Sequence, residues 1–281
     1  MSDSNTDRQP LFEEFAPVSK EEWEEVIKKD LKGADYKQKL RWKTGEGVTV
    51  LPFYRREDMT EVDRKSPLPK HHKGEEANSW GIREPIFESS VEDANDSANE
   101  ALKKGADALQ FPLTIRRAEG MLGGDLEGVP VQKQEDFSEL LQAITLEEVP
   151  LHFDSGLASP ALLGMLWNES QIQNADPKSI EGTFSYDPFV FILQNGHYPK
   201  DLEELKEDII QLAQFSIYNL PAVRPLGIDA RTYHNMGATI VQELGYAMAT
   251  ASEYLSILTD YGFDTAKATS SLHFSCSVGS S

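Results

Sequence analysis

Thr232-Tyr-His-Asn-Met-Gly-Ala-Thr-Ile-Val-Gln-Glu-Leu-Gly-Tyr-Ala-Met-Ala-Thr-Ala-Ser-Glu-Tyr-Leu255 is the stretch that decides the fold. Just ahead of it, Ala222-Val-Arg-Pro-Leu-Gly-Ile-Asp229 reads as a short buried strand. Within it, Ile240, Leu244, Met248 and Leu255 recur at roughly helical spacing. A strand that hands over to a long helix is one βα unit. Its spacing puts Tyr233 and His234 in the connecting loop, the position where α/β barrels carry their chemistry. On spacing alone, a histidine that only caps or packs there explains the pattern equally well.

Working outward, the unit repeats. Residues 82–87 read as a strand, followed by a helix over 91–104 that Gly105 ends. A strand at 108–113 follows, then a Gly-rich excursion and a helix near 135–143. Next come strand 149–154 with helix 159–168, strand 182–186 with helix 201–218, and a last strand at 271–278. Regular β-then-α alternation implies a parallel sheet, so residues 80–281 are expected to form an α/β domain of the (β/α)8 TIM-type barrel class. About six βα units fit, fewer than a closed barrel needs. The domain therefore reads as truncated, the N-terminal part of a longer subunit with two unpaired sheet edges and an exposed strip of apolar interior. A doubly wound sheet is disfavoured because neither G-x-G-x-x-G nor G-x-x-x-x-G-K-[ST] occurs.

Toward the N-terminus the pattern changes. Residues 1–10 are polar and read as disordered. Residues 11–54 form a helix-plus-hairpin arm. Ser19-Lys-Glu-Glu22 has capping-box spacing, with Pro17 just before it, and Trp23, Val26, Ile27 and Leu31 form one apolar stripe before Gly33 stops the helix. Leu40-Arg-Trp-Lys-Thr44 and Val48-Thr-Val-Leu51, joined through Gly45-Glu-Gly47, read as a hairpin. Such a unit is too small to hold a core and is expected to dock elsewhere. Residues 55–79, charged and carrying Pro67 and Pro69, read as a linker. Their His71-His72 pair reads as solvated surface.

Composition sets bounds. A chain of 281 residues, 39% hydrophobic, can bury one large core. A formal net charge of −20 excludes nucleic acid and anionic membrane surfaces as partners. It also suits the phosphates of a CoA ligand poorly. Arg116-Arg117 is a local basic pair, but adjacent arginines in a loop are usually solvated. The single cysteine, Cys276, rules out an internal disulfide framework and, lying in an apolar run, reads as a small core residue. The N-terminus lacks signal and transit patterns, and no apolar run approaches the ~20 residues that span a bilayer, so the chain is expected to be soluble and cytoplasmic.

The words of the opening stretch, Tyr-His…Gly-Ala…Val-Gln-Glu-Leu…Glu-Tyr, resemble a signature of the methylmalonyl-CoA mutase family. The resemblance continues in Phe15-Ala-Pro-Val-Ser-Lys-Glu-Glu-Trp23, Asp30-Leu-Lys-Gly-Ala-Asp35, Trp42-Lys-Thr-Gly-Glu-Gly47, Trp80-Gly-Ile-Arg-Glu84 and Gly182-Thr-Phe184, and so covers nearly the whole chain. It is most similar to the small, or beta, subunit. The resemblance implies an adenosylcobalamin-dependent isomerase that interconverts methylmalonyl-CoA and succinyl-CoA. Rearranging members use a histidine after the fifth barrel strand to hydrogen-bond the thioester carbonyl, matched here by His234 beside Tyr233, so both are candidate catalytic positions, retained or vestigial.

Other family motifs are missing. Where active subunits carry Ala-Thr-Met-Tyr, whose tyrosine presses on the corrin, this chain has Gly74-Glu-Glu-Ala-Asn-Ser-Trp-Gly81. Where they resemble Ser-Met-Thr-Met-Asn, it has Leu151-His-Phe-Asp-Ser155. The Asp-x-His-x-x-Gly cobalamin motif is absent, though in the family it belongs to a C-terminal domain. These departures imply a chain that binds no adenosylcobalamin itself and stabilises a large, alpha, subunit that takes the cofactor and the acyl-CoA. An active mutase chain lacking its cobalamin domain is the alternative. A second alternative is a barrel metallohydrolase, because His152, Asp154, His234 and His273 all lie in or just after strand candidates. Against it, no H-x-H or H-x-x-x-H spacing occurs.

Overall fold

The computed structural model describes residues 18–55, 58, 80–114, 128–198 and 200–277. His71-His72, Arg116-Arg117, residues 1–10, most of the linker and residues 74–79 lie outside them. The chain divides into two compact units, Met1–Lys70 and His71–Ser281.

In the first unit, Ser19 caps helix α1 (Lys20–Asp30), its hydroxyl accepting from the Glu22 N–H while the Glu22 carboxylate accepts from the Ser19 N–H. A short α2 (Tyr36–Leu40) follows, and strands β1 (Trp42–Lys43) and β2 (Thr49–Val50) pair antiparallel across the Gly47 turn. Neither helix buries a residue. Trp23 meets Phe53 edge-on at 3.9 Å, yet remains 43% exposed.

The second unit is built on six parallel strands in sequence order: β3 (Arg83–Pro85), β4 (Ala108–Pro112), β5 (Leu151–Asp154), β6 (Gly182–Tyr186), β7 (Val223–Asp229) and β8 (Leu272–Ser275). Helices α3 (Val91–Lys103), α4 (Gln134–Leu140), α5 (Ser159–Ile172), α7 (Leu202–Asn219) and α9 (Ile240–Tyr261) stand between them as the alternation requires. Phe111, Phe153 and Phe184 stack across β4, β5 and β6 with centroids 5.7 and 5.0 Å apart, and Phe137 of α4 packs on Phe153 at 5.4 Å. This side of the sheet is the helix-facing core.

Besides α2, whose Leu40 the sequence reading put in the first hairpin strand, three short helices of the second unit escaped sequence reading. α6 (Pro188–Asn195) starts where the Asp187 carboxylate accepts from the Val190 N–H with Pro188 at the first helical position. α8 (Ala230–Asn235) contains Tyr233 and His234, so these residues occupy a helical turn rather than a loop. α10 (Thr265–Ser270) is capped by Asp264.

Two further expectations are corrected. Cys276 is exposed, because β8 is the sheet edge and the chain leaves it at Ser275. The face opposite the phenylalanines is polar rather than apolar. Strand alternation places Gln110, His152, Thr183 and Arg224 in one row along it, paired strand to strand. The outer sides of the two edge strands, β3 and β8, carry no strand partner among the described residues.

Gly182 shows how closely the strands approach: a Cβ there would lie 2.0 Å from the Leu151 carbonyl oxygen. We expect Gly182→Ala to lower unfolding free energy by about 3 kcal/mol. Gly164, within α5 and with nothing within 4 Å of a built Cβ, should become more stable by about 0.5–1 kcal/mol as alanine. Urea denaturation of both variants checks the pair.

Candidate functional site

The candidate site sits at the C-terminal ends of β5, β6 and β7. β7 ends at Asp229 and runs directly into α8; Gly237, at φ +95°, then lets the chain reverse before Thr239 caps α9 through a reciprocal pair of hydrogen bonds with Gln242. Tyr233 and His234 are therefore adjacent but held by different turns of α9. The Tyr233 hydroxyl lies 3.1 Å from Thr250 Oγ1, with its ring 5.3 Å from that of Tyr246. His234 Nδ1 lies 3.1 Å from Glu243 Oε2. Glu243 is buried, and its other oxygen accepts from the Ser277 N–H at 3.2 Å. One carboxylate thus joins the βα connection to the exit of β8.

Tyr233 lines a hollow of about 570 Å³ with Leu193, Met236 and Tyr246. A separate cleft of about 230 Å³ is lined by Asp154, Ser185, Asp187, Phe191, Asp229 and Arg231, among others. Asp187 is buried and accepts from the Asp229 N–H (3.0 Å), the Val190 N–H (3.1 Å) and the Tyr254 hydroxyl (2.9 Å). Burial raises its pKa, and those hydrogen bonds act in the opposite direction. Arg231 Nε donates to Asp229 Oδ1 at 2.7 Å. Three carboxylates to one guanidinium make an acidic mouth. At this size it falls below the ~300–1,000 Å³ of ordinary cofactor pockets. These residues fit neither a corrin nor the phosphates of CoA.

The polar inner face carries the opposite charge. His273 sits opposite Gly227, whose missing side chain leaves room for its ring: a Cβ there would lie 3.3 Å from His273 Cε1. The charge of Arg83 on β3 acts on both His152 of β5 and His273 of the far edge strand. His152 Nδ1 meets Thr183 Oγ1 at 2.8 Å, whereas His273 Nδ1 is buried with no hydrogen-bond partner among the described residues. Asp154 accepts from Gln110 Nε2 at 2.5 Å. His152 and His273 are thus brought together and His234 is not. Among the described residues no group of three or more His, Cys, Asp or Glu side chains could hold a metal ion.

Sequence reading missed Glu243, Asp187 and the Asp229–Arg231 pair. The Asp187-Pro188 dipeptide just after a strand was a legible helix start. Nothing in the sequence announced that Glu243 turns inward.

Burial, then neighbouring Arg83, lowers the pKa of His152 to about 3; burial, then Arg83 and Arg224, lowers that of His273 to about 4. Folded values below the ordinary ~6.5 mean that an unfolded chain takes up protons which the folded one refuses. Stability is therefore fully present above about pH 6.5 and drains away as pH falls toward 4. A melting temperature that drops between pH 7 and pH 5, and drops less in His152→Gln/His273→Gln, is the expected result of thermal denaturation.

The methylmalonyl-CoA mutase family matches residues 43–281 of the chain. A methylmalonyl-CoA mutase small subunit of Porphyromonas gingivalis is 34% identical, over 98% of this chain and 42% of the relative. One from Propionibacterium freudenreichii subsp. shermanii is 26% identical, over 94% of this chain and 41% of that protein. The mitochondrial methylmalonyl-CoA mutase of Homo sapiens is 23% identical, over 90% and 35% respectively. The chain spans less than half the length of these relatives. Among the described residues, no helix is long and apolar enough to cross a membrane.

Proposed function

The chain belongs to the methylmalonyl-CoA mutase family, and from that premise we propose that it serves as small-subunit sequence in a two-subunit mutase interconverting methylmalonyl-CoA and succinyl-CoA. In this reading the large, alpha, subunit binds adenosylcobalamin and the acyl-CoA, and this chain stabilises it without turning over substrate. The names of the two small-subunit relatives support the assignment. The observation that carries the non-catalytic part is the mouth itself. His234 Nδ1 is engaged by the buried Glu243, leaving only Nε2 for a ligand, and the cleft at the ends of β5, β6 and β7 is small and acidic. A hydrogen-bond donor serves a thioester carbonyl only if the neighbouring charges welcome the rest of the ligand, and carboxylates repel CoA phosphates.

Titrating the chain alone with adenosylcobalamin should give no micromolar heat signal. His234→Ala, reconstituted with the large subunit, should retain nearly full isomerase activity. A loss beyond about tenfold, near 1.4 kcal/mol in barrier, means instead that the position still acts on substrate.

The N-terminal unit supports the partner part of the reading. With no buried residue on α1 or α2, residues 11–54 act as an arm that gains its burial on the partner. Removing residues 1–54 should weaken the complex with the large subunit, measured by sedimentation, while the far-ultraviolet spectrum of the remaining α/β domain is retained. An unchanged dissociation constant refutes the arm.

A further inference from the structure

An uncharged imidazole carries one proton on two nitrogens, so whichever group holds one nitrogen decides what the other offers. On His234 that group is Glu243. Its carboxylate makes two contacts: Oε2 lies 3.1 Å from His234 Nδ1, and Oε1 accepts from the Ser277 N–H at 3.2 Å. Glu243 stands in the first turn of α9, where the positive end of the helix dipole stabilises negative charge. A carboxylate can only accept, so the shared proton belongs to the ring and Nδ1–H donates to Oε2.

The two sides of the ring differ in access. The Glu243 side chain is 8% exposed and that of His234 36%. Nε2 has no hydrogen-bond partner among the described residues, and solvent reaches it.

We propose that Glu243 is a positioning residue that sets what this part of the mouth can receive: it holds uncharged His234 in the Nδ1–H form, so the open Nε2 presents a lone pair. A group that donates a hydrogen bond, a hydroxyl or an N–H of a ligand or partner, fits such an atom. A carbonyl oxygen does not, because lone pair would face lone pair. The inference rests on the small-subunit reading in one respect, that it supplies a chemical reason for a histidine that does not serve a thioester. The position of the proton is a property of this chain alone.

Hydrogen-bond satisfaction makes one substitution decisive. Glu243→Gln keeps the shape but replaces one oxygen by an NH2. The remaining oxygen stays on the Ser277 N–H, since an NH2 there would set donor against donor. The NH2 then donates to Nδ1, and the ring changes to the Nε2–H form. His234 is converted from acceptor to donor without being touched.

The test is long-range proton–nitrogen correlation spectroscopy on the full chain with 15N-labelled histidine, at about pH 8.5, His234→Gln assigning the resonances. In the wild type, Nδ1 should carry the proton and Nε2 should not; in Glu243→Gln the two should exchange. A second readout is acylation by diethyl pyrocarbonate, which needs the open lone pair. Its rate at His234, followed by peptide mass mapping, should fall at least about tenfold in Glu243→Gln. A wild-type ring with a proton on Nε2, alone or together with Nδ1, overturns the proposal. So does an Nδ1–H ring that Glu243→Gln leaves unchanged, because another group then holds it. If Glu243→Gln does not fold, the wild-type spectrum and Glu243→Asp, which keeps the carboxylate and should keep the Nδ1–H form, still decide. Binding to the large subunit is a separate measurement. A chain with the expected proton position that fails to bind it sinks the small-subunit reading and leaves the role of Glu243 in place, whereas a bound chain with its proton on Nε2 does the reverse.

Discussion

The phenylalanine ladder is the constraint on which the rest of the domain depends. Phe111, Phe153 and Phe184 occupy matching positions on three neighbouring strands, and Phe137 closes on them from α4. Each ring is almost fully buried. A one-residue slip in any strand would turn its ring to the opposite face, so the ladder fixes register across the middle of the sheet. It also fixes what stands opposite. With period two, the alternate positions Gln110, His152, Thr183 and Ser185 must all look inward.

That polar face contrasts with the interior of a closed α/β barrel, which is ordinarily packed with branched apolar residues. Here the hydroxyl, amide and imidazole groups bond one another across strands, as in His152 with Thr183 and Gln110 with Asp154. Arginines gather near them: His273 feels Arg83, Arg224 and Arg231. At the C-terminal mouth the sign reverses, with Asp154, Asp187 and Asp229 around one arginine. Burying imidazoles beside guanidinium groups is possible only because the rings stay neutral, which is the direction their pKa values take.

The strand-and-helix order was legible because each long element carries its own periodicity and caps. The hairpin glycines, Gly105 after α3 and the Ser19 capping box all mark boundaries that local backbone chemistry sets. The short helices α6, α8 and α10 span too few turns for an apolar period to register. Cys276 was misread because an apolar neighbourhood in sequence says nothing about whether a strand has a neighbour on its far side. The polar interior was misread for a related reason. Alternation shows that a strand has two different faces, but which of them meets the helices is decided by tertiary packing.

The site was legible in position and not in chemistry. Tyr233 and His234 stand where a strand gives way to a helix, as spacing indicates, yet what each can do is set by residues one or two turns away on α9. Glu243 reads in sequence as one more charge on an amphipathic helix. In the fold it is the one charge of the first half of α9 that turns inward, satisfied by His234 on one oxygen and by the Ser277 backbone on the other. That arrangement removes charge from the outward side of α9 just where its side chains are apolar. The same carboxylate therefore orients His234 through Nδ1 and leaves Ile240, Val241, Leu244 and Met248 with no other charged side chain among residues 235–252 beside them.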